Sequence, residues 1–303
     1  MSSEVSSFPS GNPGKPHEQR LPETEPAQSS APAPAVVLTI AGFDPSSGAG
    51  ITADLKVFAA CQLYGVSAVT ALTVQSTQGV LRSQPVDSAL LGETLRCLQH
   101  DLKIAGVKIG MLGSGGNVAT VAAWLRDLPL PRERVVLDPV LWSSSGRDLL
   151  DAPGQALLRD QLLPQTGWVT PNLDELAALT GLPVSNREQM RAAAEALAAT
   201  AGLRVAATGG HLDPPDDLLV TPHGEVHWFP GRHLATRATH GTGCAFSSAL
   251  LCRLVLGDSA EAGVAAAKQY VKEAMEAAYP IGQGRGPMHH LYRAFPRERP
   301  SNG

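Results

Sequence analysis

The chain has 303 residues, enough for one large α/β domain or two small ones. Its 24 basic and 28 acidic residues give a net charge of −4, which offers no basic field to nucleic acid or an anionic membrane, and no run reaches the ~20 apolar residues of a membrane helix. The four cysteines, Cys61, Cys97, Cys244 and Cys252, are scattered without a CxxC pair, which excludes a zinc ribbon or disulfide framework and points to a reducing cytoplasm.

Ser, Pro, Gly, Glu and Gln dominate residues 1–35, a composition that predicts a disordered tail and contains no apolar stretch of a secretory signal. From Val36 short β-branched runs alternate with Ala- and Leu-rich helical runs. Strands are predicted at Val36–Ile40, Val66–Val74, Val107–Ile109, Arg134–Leu137, Trp168–Thr170 and Arg204–Ala207. Helices are predicted at Ile51–Gln62, Ser88–Leu102, Asn117–Arg126, Gly154–Leu163, Leu173–Thr180 and Arg187–Thr200. Leu218–Val220 and Val226–Phe229 read as a hairpin turning at His223-Gly224, and two long helices, Cys244–Leu256 and Ser259–Ala278, close a single domain over residues 36–296. Residues 297–303 are read as a flexible end.

Strand–helix alternation of this length predicts an α/β fold with a mainly parallel sheet covered by helices on both faces. Ligands bind such sheets beyond the carboxyl ends of the strands. Polar and glycine-rich segments fall there: 42–50, 75–79, 110–116, 138–146, 170–175, 209–211 and 240–244. The last is the most informative. Thr239-His240-Gly241-Thr242-Gly243-Cys244 is a glycine turn opening into a helix, which presents unpaired N–H groups and a positive dipole end to an anion such as phosphate. A cysteine in that first turn is expected to have its thiolate favoured by the same field.

The other candidates are weaker on local sequence. Gly42–Gly50 follows the first strand but lacks the third glycine of a dinucleotide fingerprint, and the chain has no Walker A loop; a glycine-lined pocket for a small flat ligand is the alternative. Asp54 and Lys56 read on spacing as an exposed surface pair. Gln75 can donate and accept towards a heteroaromatic edge, or be an ordinary loop polar residue. Met111 can pack on a ring or belong to the core. Asn172 and Glu175, three apart on a first helical turn, can hold water around Mg²⁺ or form a capping box, and the roles are compatible. Asp138, ending its strand, is a candidate for the metal and phosphate region.

Taken in order, Ala41–Lys56, Thr70–Gln75, Val107–Leu112, Leu137–Val140, Thr170–Asn172, Gly209–His211, Thr239–Cys244 and Gly284–His290 resemble the ribokinase superfamily, and within it the hydroxymethylpyrimidine/phosphomethylpyrimidine kinases of thiamin biosynthesis. The resemblance covers about residues 36–295. It implies a ribokinase-like three-layer α/β/α sandwich and ATP-dependent phosphorylation of 4-amino-5-hydroxymethyl-2-methylpyrimidine, with the monophosphate as a second substrate. It also implies that Gly42, Ala49, Gln75, Met111 and Val140 line the pyrimidine pocket, with Asp54 near the ligand. Gly241, Thr242, Gly243 and Cys244 would form the anion hole, Cys244 standing where sugar kinases carry an aspartate base. Asp138, Asn172, Glu175 and Thr208 would face the nucleotide, Asn172 and Glu175 serving Mg²⁺ through water. A homodimer is implied too, and the short hairpin strands offer an edge for pairing.

Departures accompany the match. Thr208 and Ser144 stand where the family commonly has lysines facing ATP phosphates, and Phe43, Ser47 and Thr52 replace its usual residues in the first loop and helix. Arg147 and Arg237 are the nearest cations to compensate. Two other readings remain: a pyridoxal kinase, whose ring also carries a hydroxymethyl group, and a degenerate pyrimidine-binding protein with little kinase activity.

Overall fold

The computed structural model describes residues 32–143 and 146–296, and those from Pro34 on form one compact unit. The expectations for most of the N-terminal tail, for residues 297–303 and for Ser144 lie outside the described residues. In chain order the elements are β1 (Val36–Phe43), α1 (Gly50–Ala60), β2 (Tyr64–Ser76), β3 (Gly79–Pro85), α2 (Ser88–Asp101), β4 (Ile104–Ile109), α3 (Gly115–Asp127) and β5 (Val135–Leu137). They continue with α4 (Ala152–Leu157), β6 (Trp168–Val169), α5 (Leu173–Thr180), α6 (Arg187–Ala201), β7 (Arg204–Ala207), β8 (Asp217–Val220), β9 (Val226–Phe229), α7 (Thr242–Leu256) and α8 (Ala260–Glu276).

The nine strands form one sheet in the order β3-β2-β1-β4-β5-β6-β7-β8-β9. β2, β1, β4, β5, β6 and β7 are parallel; β3, β8 and β9 are antiparallel additions at the two edges. Successive side chains of a strand point to opposite faces, and here the alternation builds two cores. Leu38, Val107, Leu137 and Val169 join α2, α3, α5 and α6 on one face. Val37, Val136, Trp168 and Ala206 join α1, α7 and α8 on the other. The expected three-layer α/β sandwich is therefore observed.

Two expectations are corrected. β3 has no counterpart among the expected strands, and the strand before it, expected to end at Val74, extends to Ser76 through part of the expected 75–79 loop. The helix expected over Gly154–Leu163 is α only to Leu157, then widens into a π-turn over Leu158–Leu162 and a 3₁₀ turn at Leu163–Gln165 that contains Pro164, which has no N–H to continue the helix.

The same alternation places the polar centre. Thr39 and Lys108 are register partners on β1 and β4, and Lys108 pairs with Val136 of β5, so all three face α1 and α7; Asp138 follows on that side. α7 lies close on the sheet because Gly106 of β4 has no side chain: a Cβ there would stand 2.7 Å from Val255 Cγ2 and 2.9 Å from Leu251 Cδ1. Gly106→Ala is expected to lift α7 and lower the unfolding free energy by about 1–3 kcal/mol, read from the midpoint of urea unfolding. An unchanged midpoint would show that α7 can shift without cost.

Candidate active site

Two loops meet at the carboxyl end of β1. The loop from Asp44 to Ala49 is wound around the Asp44 carboxylate, which accepts from the Ser46 N–H at 2.8 Å, the Ser46 hydroxyl at 2.7 Å, the Ala49 N–H at 2.9 Å and the Gly48 N–H at 3.2 Å. Gly50 closes it at φ +58°, with its Cα so near Gly42 that a Cβ would lie 2.3 Å from the Gly42 carbonyl oxygen. The second loop is the turn before α7. Gly241 is its N-cap at φ +80°, and a Cβ on it would fall 2.0 Å from the Gly48 carbonyl oxygen. Gly50 is thus required by the first loop folding back on the end of β1, and Gly241 by contact between the two loops. No side chain caps α7, so its first N–H groups face outward with the positive end of the helix dipole.

Around this junction the structure gathers most of the expected pocket. Met111 packs on Gly42, where a Cβ would meet its sulfur at 2.9 Å, and Met111 clusters with Ala71, Leu149 and Val140. The Thr70 hydroxyl donates to the Met111 carbonyl at 2.6 Å, and Asn117 Nδ2 donates to the carbonyls of Thr70 and Leu112, which holds that loop in place. Gln75 reaches the junction through His240: its amide lies 3.1 Å from His240 Nε2, which in turn lies 2.8 Å from Asp44 Oδ2. Leu149, Asn117, Asp44 and His240 were not anticipated as parts of the site. Asp44 and His240 were within the quoted motifs, and polar side chains beside obligatory glycines are the signal that marks them.

Asp54 is neither an exposed pair with Lys56 nor open to a ligand; it is fully buried. It receives Lys108 Nζ at 3.0 and 3.1 Å, the Thr39 hydroxyl at 2.6 Å and the Ser248 hydroxyl at 2.7 Å. Lys56 instead donates to the Ser47 carbonyl at 2.8 Å. The spacing already held the clue: Asp54 shares a helix face with Ile51, Val57 and Phe58, all buried. Lys108, also fully buried, interrupts an apolar central strand, the second sign of an internal ion pair. Lys108 Nζ also lies 3.8 Å from Asp138 Oδ2, to which the Ser247 hydroxyl donates at 3.2 Å.

This cluster sets the charges under the α7 N-terminus. Burial alone would strip the proton from Lys108, but Asp54, with Cys244 and Asp138, holds it above the ordinary lysine range. Burial raises the Asp138 pKa, partly opposed by Lys108. The Cys244 thiol keeps part of its surface open, yet dense surroundings dominate: burial, then the charges of Asp138 and Asp54, push it up to about 12 against the pull of Lys108 and the Gly50 N–H. The expected acidified thiol is thus reversed. Cys244 stays protonated at neutral pH, in the field of the Asp138 carboxyl.

Asn172 and Glu175 form the capping box of α5 in full, with Glu175 N–H to Asn172 Oδ1 and Asn172 N–H to Glu175 Oε2, both at 2.9 Å. Burial and the charge of Asp138 push Glu175 up to about 8, against N–H groups of Asn172 and Leu141. Thr208 is half-buried at the end of β7, its N–H donating to the Pro171 carbonyl at 2.9 Å, so it stands beside the Asn172 turn. Arg147 does not turn to the site: its guanidinium donates to the carbonyls of Val80 and Leu81 on β3, beside an open cleft of 690 Å³. Arg237 is exposed, three residues before His240.

A family model described as phosphomethylpyrimidine kinase matches residues 44–289. The chain is 40% identical over 257 residues to the hydroxymethylpyrimidine/phosphomethylpyrimidine kinase of Streptomyces coelicolor, covering 85% of this chain and 94% of that one. It is 38% identical over 259 residues to the thiamine biosynthesis bifunctional protein ThiED of Geobacter sulfurreducens, of which it spans 52% while 85% of this chain is covered. Its fold is similar to the ADP complex of Bacillus subtilis pyridoxal kinase, with a TM-score of 0.79 and 29% identity, over 87% of this chain and 100% of that one.

Because the Glu175 pKa is raised on folding, the native state binds more protons than the unfolded chain between about 4.5 and about 8, and stability falls as pH rises through that window. Glu175→Gln keeps both capping-box hydrogen bonds and is expected to flatten the decline, measured as unfolding free energy against pH. An equally steep decline in the variant would contradict the assignment.

Proposed function

The chain belongs to the phosphomethylpyrimidine kinase family, and we propose that it transfers the γ-phosphoryl group of ATP to the hydroxymethyl group of 4-amino-5-hydroxymethyl-2-methylpyrimidine, then phosphorylates the monophosphate. The observation that carries this reading is the uncapped N-terminus of α7, pressed against the Gly42–Gly50 loop with Asp138 and Cys244 beneath it. Gly42, Ala49, Met111 and Val140 provide walls for a flat ring, and Gln75 its polar edge. The N–H groups of Thr242, Gly243 and Cys244 are aimed where negative charge spreads over a transferring phosphoryl group, and Gly241 lets the backbone reach it.

Proton movement runs through the Cys244–Asp138 contact. The alcohol proton passes to the Cys244 sulfur as the thiol proton passes to Asp138, whose raised pKa makes it a competent acceptor. Mg²⁺, when bound, would neutralise phosphate charge; the oxygen-bearing side chains of Glu175 and Asn172 fit such a hard ion through water, since the buried Glu175 carboxyl is left facing the charge of Asp138 with no cation of its own among the described residues. Thr208 would contact the nucleotide without the charge of a lysine, and Arg237 is the remaining candidate to supply it.

The likeness to a pyridoxal kinase favours a second reading, in which a pyridine ring with a hydroxymethyl group enters the same pocket. A homodimer belongs to the proposal as well. Leu72 and Val74 of β2 and Leu81 of β3 are exposed, so the apolar edge is opposite the β8–β9 hairpin first expected to pair; a monomer mass by light scattering would remove it. No helix among the described residues is long and apolar enough to cross a membrane, and the four free thiols fit a cytoplasmic setting.

Product formation from the pyrimidine alcohol, its monophosphate and pyridoxal, with Mg²⁺-ATP, tests these readings together. The alcohol is expected to be preferred over pyridoxal, with the monophosphate slower because of the missing cations. Cys244→Ala is expected to lower kcat by roughly 10²–10⁴-fold with substrate Kd little changed. Tight pyrimidine binding without ATP consumption would make this a binding protein, and full activity of Cys244→Ala would remove the relay.

A further inference from the structure

His240 and Asp44 form a pair that the phosphoryl-transfer chemistry does not use. Asp44 is 3% exposed. Burial raises its proton affinity, but hydrogen bonds from His240 and Ser46 outweigh it and keep the pKa below the ordinary value, so Asp44 is a carboxylate. An Nε2 at 2.8 Å from a carboxylate oxygen carries a hydrogen, so His240 donates from Nε2 to Asp44 Oδ2. The ring has little freedom: a Cβ on Gly48 would meet its Cδ2 at 2.3 Å, and the His240 backbone N–H is tied to the Gly286 carbonyl at 3.1 Å.

That protonation state constrains Gln75. An Nε2–H has no lone pair, so an amide N–H directed at it from 3.1 Å would find no acceptor. Amide oxygen and nitrogen are told apart by the partners they meet, and the partners here place Oε1 on the His240 side. The amide nitrogen then falls at the contact with Thr73 Oγ1, 3.2 Å long. The Thr73 hydroxyl donates to the Phe43 carbonyl at 3.0 Å and has lone pairs left to accept. With this orientation every donor in the chain Asp44–His240–Gln75–Thr73–Phe43 meets an acceptor. With the opposite one, two donors collide.

We propose that His240, held by Asp44, is a positioning residue that locks the Gln75 amide in one orientation and so determines which ring edge the pocket accepts. The inference rests on the substrate reading above. Gln75 retains one N–H and one oxygen lone pair for a ligand. Because the hydroxymethyl group must point to Cys244, the ring cannot rotate in its plane to present another edge. A locked amide therefore matches an amino group beside a ring nitrogen, donor next to acceptor, and mismatches the oxo analogue, in which a carbonyl stands beside a ring N–H. A freely turning amide would match both.

The test compares the 4-amino pyrimidine alcohol with its 4-oxo analogue, by kcat/KM and by calorimetric Kd, in wild type, His240→Phe, His240→Gln and Thr73→Val. Wild type is expected to prefer the amino ring. His240→Phe fills the same space without the donor, and is expected to reduce the amino-over-oxo ratio by roughly tenfold or more, the scale of an unpaired polar group. His240→Gln retains an N–H for Asp44 and should keep most of the ratio. Thr73→Val releases the other end of the amide and should lower the ratio in the same direction, which covers the case where His240→Phe does not fold. A merely structural role would weaken both ligands together and leave the ratio unmoved. Discrimination in wild type with the ratio unchanged in His240→Phe and Thr73→Val overturns the inference alone. Failure of wild type to bind either ring overturns the substrate reading, and the inference with it.

Discussion

A lysine and an aspartate sealed from water hold the working end of this protein together. Lys108 rises from β4, Asp54 descends from α1, and the same carboxylate takes hydroxyl hydrogens from Thr39 of β1 and Ser248 of α7. Four elements thus converge on one side chain. Removing one member of a buried ion pair costs roughly 3–5 kcal/mol because the other charge is left unpaired, whereas an apolar replacement of both is often neutral. Stability alone therefore gives little reason for such a pair. What it provides is a fixed positive charge beneath the first turn of α7, directed at Asp138 and Cys244 as well as at Asp54.

The charge balance there is short on the positive side. Lys108 answers Asp54 closely, reaches Asp138 at 3.8 Å, and leaves Glu175 with the repulsion of Asp138. The consequence is visible in three raised pKa values, of Asp138, Glu175 and Cys244, each with burial as the leading cause. A helix dipole is worth about 0.3–1 kcal/mol to a neighbouring charge and up to ~2 kcal/mol in partly buried geometry. That is too little to ionise a thiol surrounded by buried carboxyls. A proton held on sulfur and handed to Asp138 is the arrangement these numbers favour, and it leaves the helix N–H groups free for the phosphoryl oxygens of the proposed reaction.

Much of the architecture was legible in the chain. Alternating apolar strands and helices led to the three-layer fold, and α5 was located to the residue because Pro171-Asn172 and Gly181 mark its ends. β3 was missed because an edge strand with Arg82, Gln84 and a terminal Pro85 carries almost no apolar alternation. The glycine loops were readable because glycine is forced wherever two backbones touch. The charge state of Cys244 was not readable, since it depends on Asp54 and Asp138, residues 190 and 106 positions away that only the folded sheet brings together. The Asp44–His240–Gln75 chain was hidden for the same reason, its members lying on three separate segments.

The protonated thiol over a buried Lys108–Asp54–Asp138 cluster is the claim on which the functional account turns. It is tested most directly by the rate at which Cys244 in the unliganded, full-length protein is alkylated by iodoacetamide as a function of pH, followed on its own peptide by mass spectrometry. The account predicts slow reaction at neutral pH and a rate still climbing at about pH 10, as for a thiol whose pKa lies near 12 in place of the ordinary ~8.5. A rate that levels off at or below about pH 8 would contradict it, and would return the helix dipole to command of the cysteine.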